Sequence, residues 1–161
     1  MQVLGEALVL VLVANSAPIL IRQIPLIDKL SYPLDCYVKF LDGQRVLGSS
    51  KTWRGVFAAM LATMLCSAGL NSGWVIGLVV GFLAMLGDSL SSFIKRRLGM
   101  PPSHMALGLD QIPESLLPFI YLNYIWHFGG LYIWVLVSLF MILELLLSRI
   151  LFRLHIRKRP Y

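Results

Sequence analysis

All of the lysines and arginines in this chain sit at or beyond the ends of alternate apolar stretches, and that pattern leaves few folds open. The stretches lie near residues 3–21, 56–70, 73–94, 112–128 and 131–152. A hydrocarbon layer of ~30 Å takes about 20 apolar residues per helix, so a chain of 161 residues has room for five spans and their connections. With 58% hydrophobic residues, 14% charged residues and a mean hydropathy of +0.77, it lies outside the range of a water-soluble domain. The pattern predicts an all-α, polytopic membrane protein of about five transmembrane helices, forming a single integral membrane domain over 1–161. The second and fourth stretches are short, and short spans tilt little, thin the bilayer or borrow flanking residues.

The basic residues then set an orientation. Arg22, Lys29, Lys39, Arg45, Lys51 and Arg54 follow the first stretch, and Lys95, Arg96 and Arg97 follow the third. Arg149, Arg153, Arg157, Lys158 and Arg159 end or follow the fifth, which accounts for all 14. Five spans bring these groups to one side, and the turns at Asn71-Ser72 and His127–Gly130 carry no positive charge. The positive-inside rule therefore predicts an N-terminus outside and a C-terminus in the cytoplasm, in a multi-pass protein of the cell (inner) membrane. In so hydrophobic a chain the net charge of +6 points to anionic lipid surfaces and argues against nucleic acid. Cys36 and Cys66 have neither metal-ligand spacing nor a disulfide framework. The N-terminus lacks a basic region and a small-residue cleavage site, so it reads as a retained first span.

Two cytoplasmic connections exceed what joining helices requires. The first, 22–55, is rich in Ile, Leu, Tyr, Phe and Trp, with turn signals at Pro25, Pro33 and Asp42-Gly43, and is expected to fold at the membrane interface. The second, 95–111, contains Gly99-Met100-Pro101-Pro102-Ser103-His104, which cannot be helical and is expected to form a flap. Gly73, Gly77 and Gly81 make a small-residue stripe, suited either to tight packing within one chain or to a homodimer seam.

Carboxylates at membrane depth are costly and mark functional sites by default. Asp88, Ser91, Ser92 and Lys95 stand at i, i+3, i+4 and i+7, one polar stripe about 10 Å deep, suited to a metal and a phosphate; pairing with another helix is the plainer alternative. Asp110 and Glu114 stand at i and i+4 where the fourth span begins. Asp110 can instead cap that helix, with Pro113 in its first turn. Glu144, with Ser148 four residues on, reads as a structural acid. Segment 42–55 gathers glycines with Lys51 and Arg54 at the start of the second span, a pattern suited to phosphate, though it lacks the Walker spacing.

Several blocks also resemble the CDP-archaeol synthase family, within the wider group of CDP-diacylglycerol synthases. They are Asn15-Ser16-Ala17-Pro18, Pro33-Leu34-Asp35, Asp42-Gly43-Gln44-Arg45-Val46-Leu47-Gly48, Lys51-Thr52-Trp53-Arg54-Gly55, Gly87-Asp88-Ser89, Ser92-Phe93-Ile94-Lys95-Arg96-Arg97-Leu98-Gly99 and Leu109-Asp110-Gln111, in order over roughly 15–115. The resemblance implies a magnesium-dependent reaction of CTP with a phosphorylated membrane lipid, giving a CDP-lipid and pyrophosphate. On it, Asp88, Lys95 and Asp110 are the expected catalytic residues, with Asp88, Asp110 and Glu114 holding Mg2+. Asn15, Asp42, Arg45, Lys51, Thr52, Arg54, Ser92, Arg96 and Arg97 are expected to bind substrate. The family motif continues Leu-Asp after Asp110-Gln111, whereas here Ile112-Pro113 follow, leaving Glu114 as the substitute acid. Two other readings compete: a small ion- or proton-coupled transporter using Asp88, Asp110 and Glu144, and a catalytically silent lipid-binding family member.

Overall fold

The computed structural model describes residues 2–22, 31–101, 104 and 106–154. Lys29, Arg157, Lys158, Arg159, the Pro25 turn, and Pro102 and Ser103 of the expected flap lie outside these residues. Five helices follow one another: α1 (Gln2–Ile21), α2 (Trp53–Gly69), α3 (Trp74–Arg97), α4 (Gln111–Trp126) and α5 (Gly130–Arg153). The only β pairing among the described residues is two isolated bridges, Pro33 with Thr52 and Lys39 with Arg45. Helices α1, α3 and α5 are long and apolar enough to cross a membrane. The other two, of 17 and 16 residues, reach roughly 25 Å and fall short of the ~30 Å hydrocarbon layer.

Helix α3 is the centre of the bundle, packed on α1, α2 and α4, while α5 leans on α4 and more lightly on α1. Its axis approaches its neighbours closely because of three glycines. A Cβ on Gly77 would lie 2.2 Å from the Thr63 carbonyl oxygen, and one on Gly81 would lie 2.8 Å from Met60 Cα, so both are spent on α2. A Cβ on Gly87 would lie 2.1 Å from the Pro113 carbonyl oxygen, which brings the first turn of α4 against α3. The predicted glycine stripe thus works inside the chain. Gly73, with φ +94°, meets nothing within 4 Å and instead precedes α3.

The interior divides in two along the helices. Ala7, Leu10, Val11, Val80, Phe119, Leu122, Leu136, Val137 and Phe140 form an apolar cluster shared by α1, α3, α4 and α5. Towards the other end the buried residues turn small and then polar: Ala14, Ala59, Ala84 and Met85, followed by Ser91, Ser92, Lys95 and Arg96 on α3 and Gln111, Glu114 and Ser115 on α4. Helix α3 continues through Lys95-Arg96-Arg97, three residues that the sequence reading had placed in the 95–111 connection. Cations in a last turn meet the negative end of the helix dipole, which favours carrying the helix through them.

Candidate functional site

The long connection between α1 and α2 folds around one carboxylate. The side chain of Asp35 has no solvent exposure and accepts hydrogen bonds from the backbone N–H of Tyr37 (3.2 Å), Leu47 (3.2 Å) and Gly48 (2.9 Å), besides an ion pair with Arg45. Burial pushes this carboxyl upward, and the Arg45 guanidinium together with the three N–H groups more than offsets that, so it stays below the ordinary aspartate value. The same contact raises the Arg45 value. Cys36 and Tyr37 adopt positive φ (47° and 63°), a costly conformation for side-chain-bearing residues, beside the Tyr37 N–H that Asp35 holds.

Both ends of the connection are zipped together, Leu34 N–H to the Lys51 carbonyl (2.8 Å) and Trp53 N–H to the Tyr32 carbonyl (3.1 Å). Thr52 then caps α2, its hydroxyl accepting from Gly55 N–H at 3.3 Å. These contacts set Lys51 at the mouth of the bundle, where its ammonium lies 2.5 Å from both carboxylate oxygens of Asp88. A second pair stands beside α4. Lys95 Nζ is 2.6 Å from Asp110 Oδ1 and also donates to the His104 carbonyl at 3.1 Å. Asp110 accepts from Ala106 N–H at 3.0 Å and makes no side-chain cap on α4, so the capping reading of this residue is not taken up.

Glu114 is buried one turn into α4, within the electrostatic reach of Asp88, Glu144, Lys51 and Asp110. Gly87 is what allows this, since a Cβ there would collide with the backbone of Pro113 and Glu114. Pro113 itself sits in the first turn, where its missing N–H costs no helical hydrogen bond. Ser92 and Arg54 are buried, as expected of inward-facing residues, and Ser91 is turned onto the Asp88 carbonyl (2.9 Å).

Other predicted substrate-binding residues are engaged elsewhere. Arg97 donates to Asp42 (2.9 Å) and to the Arg45 carbonyl (3.0 Å), and its guanidinium lies over the Phe40 and Phe93 rings. Asp42, Arg45 and Arg97 therefore hold the connection to the end of α3 and are not joined to the two lysine–carboxylate pairs. Arg96 donates to the Pro101 carbonyl at 2.8 Å, steadying the second connection. Asn15 donates to Val11 in its own helix and lines a small cleft between α1 and α5 with Ser16, Glu144 and Ser148. The organising role of Asp35 was missed by sequence reasoning, although its place in the Pro33-Leu34-Asp35 block that resembles the family was a usable signal.

Carboxylate oxygens are the hard donors that magnesium prefers. That ion is commonly held by one or two carboxylates and completed by substrate phosphates. Asp88 and Asp110 suit such a site. No group of three potential ligands stands close enough to hold a metal by itself among the described residues.

Comparisons with known proteins agree with the sequence motifs. Residues 8–161 match the family model described as CDP-archaeol synthase. A CDP-archaeol synthase of Sulfurisphaera tokodaii is 32% identical over 141 residues, covering 80% of this chain and 81% of that one. One from Hyperthermus butylicus is 38% identical over 66% of this chain. The chain covers 63% of the length of that relative and 60% of the one from Pyrococcus furiosus. A solved structure described as an intramembrane enzyme for archaeal membrane lipid biosynthesis superposes with a TM-score of 0.72 at 25% identity, over 89% of this chain and 90% of its own. With ordered motifs, a five-helix bundle and a family match over nearly its whole length, the chain belongs to the CDP-archaeol synthase family.

Proposed function

We propose that this chain is a lipid cytidylyltransferase, joining CTP to the phosphate of a membrane lipid at the cytoplasmic face of the cell membrane, with magnesium. The observation that carries the reading is the two neighbouring lysine–carboxylate pairs, Lys51 with Asp88 and Lys95 with Asp110, at the polar end of an apolar bundle. Family membership supports the substrates, and the placement of the basic residues supports the face.

The chemistry asks little of the protein in proton transfer. A phosphate monoester is largely dianionic near pH 7, its second pKa being ~6, so the nucleophile needs no general base. One of its oxygens attacks the α-phosphorus of CTP, the bond from that phosphorus to the bridging β-phosphate oxygen breaks, and pyrophosphate departs with the electron pair. What the site must supply is alignment of two anions and neutralisation of the charge that grows on the leaving group. Asp88 and Asp110, with Glu114 as a third acid, would hold the magnesium, which would supply charge neutralisation and orientation of the triphosphate. Lys51 and Lys95, paired with these carboxylates in the structure, would turn their ammonium groups to phosphate oxygens when substrate binds. Each lysine holds its carboxylate in place at rest and becomes a phosphate ligand during turnover.

The test is transfer of label from α-labelled CTP into lipid by the purified protein with magnesium. Phosphatidate and an unsaturated archaeal diether phosphate are offered in parallel. Labelled lipid in either reaction is expected and identifies the tail. No label in either, from folded protein that binds CTP, overturns the reading in favour of a silent family member.

A further inference from the structure

The excursion 37–46 of the first connection forms a short hairpin. Lys39 pairs with Arg45, Val46 N–H donates to the Val38 carbonyl (3.1 Å), and Phe40 N–H donates to the Gln44 carbonyl (2.8 Å). Its tip is Leu41-Asp42-Gly43, with Gly43 at φ +76°. This hairpin does not stand free above the bundle. Phe40 packs edge-on against Phe93 with ring centroids 5.5 Å apart, and Arg97 ties the tip down through Asp42.

The side of α3 that receives it is informative. Leu86, Leu90, Phe93 and Arg97 stand at i, i+4, i+7 and i+11, one stripe of the helix, and Leu86 and Leu90 on that stripe are exposed. The opposite stripe holds Ser91, Ser92 and Lys95, all buried. The hairpin therefore hangs on the outward, apolar side of α3, away from the polar site. Phe93 lies one turn, about 6 Å, back from Arg97, so the hairpin lies alongside the last turn of α3. In a bilayer crossed by α3, that level and side would face the boundary between headgroups and acyl chains. The tip is built for such a medium: Leu41 is 96% exposed, Tyr37 and Val38 are also exposed, and Lys39 offers a cation between them. Exposed apolar side chains beside a lysine able to snorkel are the chemistry of interfacial lipid contact, Tyr37 being held meanwhile by Tyr32 and Arg45.

We infer that the 37–46 hairpin is a membrane-surface anchor, with Leu41 seated among the lipids of the leaflet at the α3 C-terminal face and Lys39 on their phosphates. The connection that carries Lys51 is thereby fixed at two points, to α3 through Arg97 and to the bilayer through Leu41. This inference is independent of the proposed reaction.

The probe is an environment-sensitive nitrobenzoxadiazole label at position 41, in Leu41→Cys protein carrying Cys36→Ser and Cys66→Ser. The protein is reconstituted in vesicles containing anionic lipid and a lipid with a nitroxide near its glycerol. The label is expected to emit blue-shifted, to be quenched several-fold more by the nitroxide lipid than in vesicles lacking it, and to resist aqueous iodide. The same label at Val38→Cys is expected to move towards iodide accessibility when Leu41 is replaced by Asp. Unshifted, iodide-quenched emission at position 41 overturns the inference. So does a label shielded from iodide yet untouched by the nitroxide lipid, which would put a second copy or another protein on the tip.

Discussion

The close approach of α3 and α4 at Gly87 supplies the sharpest test of how the site is built. In Gly87→Ala the new Cβ would meet the Pro113 carbonyl oxygen at 2.1 Å, the Pro113 carbonyl carbon at 2.4 Å and Glu114 Cα at 2.6 Å. All three are backbone atoms, so no side chain can swing aside, and α4 must retreat from α3 by about 1 Å to restore ordinary contact. Overpacking of this kind costs ~1–3 kcal/mol, and in a chain of this length that corresponds to roughly 2–12 °C in Tm. The first turn of α4 carries Asp110 and Glu114 with it, and a misplacement of about 1 Å in a catalytic group can cost ~10²-fold in rate. Gly81→Ala is the matched control, since its Cβ would meet Thr63 Oγ1 at 2.4 Å and Met60 Cα at 2.8 Å on α2, about 9 Å deeper along α3. Both variants are expected to lose similar thermal stability in nanodiscs. Only Gly87→Ala should also lose about two orders of magnitude in turnover at saturating CTP. Wild-type turnover in Gly87→Ala, at wild-type Tm, would refute the role assigned to this contact.

The paired charges should behave as a unit. Lys51→Met and Asp88→Asn are each expected to abolish most activity and to lower Tm. The double variant should regain part of the stability, a coupling of ~0.5–3 kcal/mol read from a thermal double-mutant cycle. Asp35 gives a pH dependence whose sign follows from its lowered value: its contribution is complete above the unfolded value of ~3.9 and fades as pH falls through the lower folded one. Protease protection of the 31–52 connection should therefore persist through pH 5 and fail only in strong acid, whereas Asp35→Asn should be cleaved at neutral pH. Removing divalent cations with a chelator should stop label transfer from CTP, and added magnesium should restore it without a change in helix content by circular dichroism.

The helices were legible in the sequence because each apolar stretch is bounded by charged or glycine-containing segments, and even the shortness of α2 and α4 could be read there. The inward stripe of α3 was legible for the same reason, since spacing alone places Ser91, Ser92 and Lys95 on a common face. Pairing was not. Lys51 and Asp88 are 37 residues apart, and their contact depends on how the first connection folds about Asp35, which no periodicity encodes. Arg45 and Arg97 carry the chemistry that binds phosphate, and only their three-dimensional neighbours reveal that Asp35 and Asp42 already occupy them. The pairing also has a physical necessity of its own. A carboxylate below the membrane surface is costly without a counter-charge, so acids that hold a dication in the proposed reaction need resting partners, and lysines that hold phosphate in it need the same. Pairing the two sets satisfies both demands in the resting protein. Under the proposed reaction, metal and phosphate would take over from the resting partners of these two ion pairs, so that Lys51, Asp88, Lys95 and Asp110 would each keep a counter-charge.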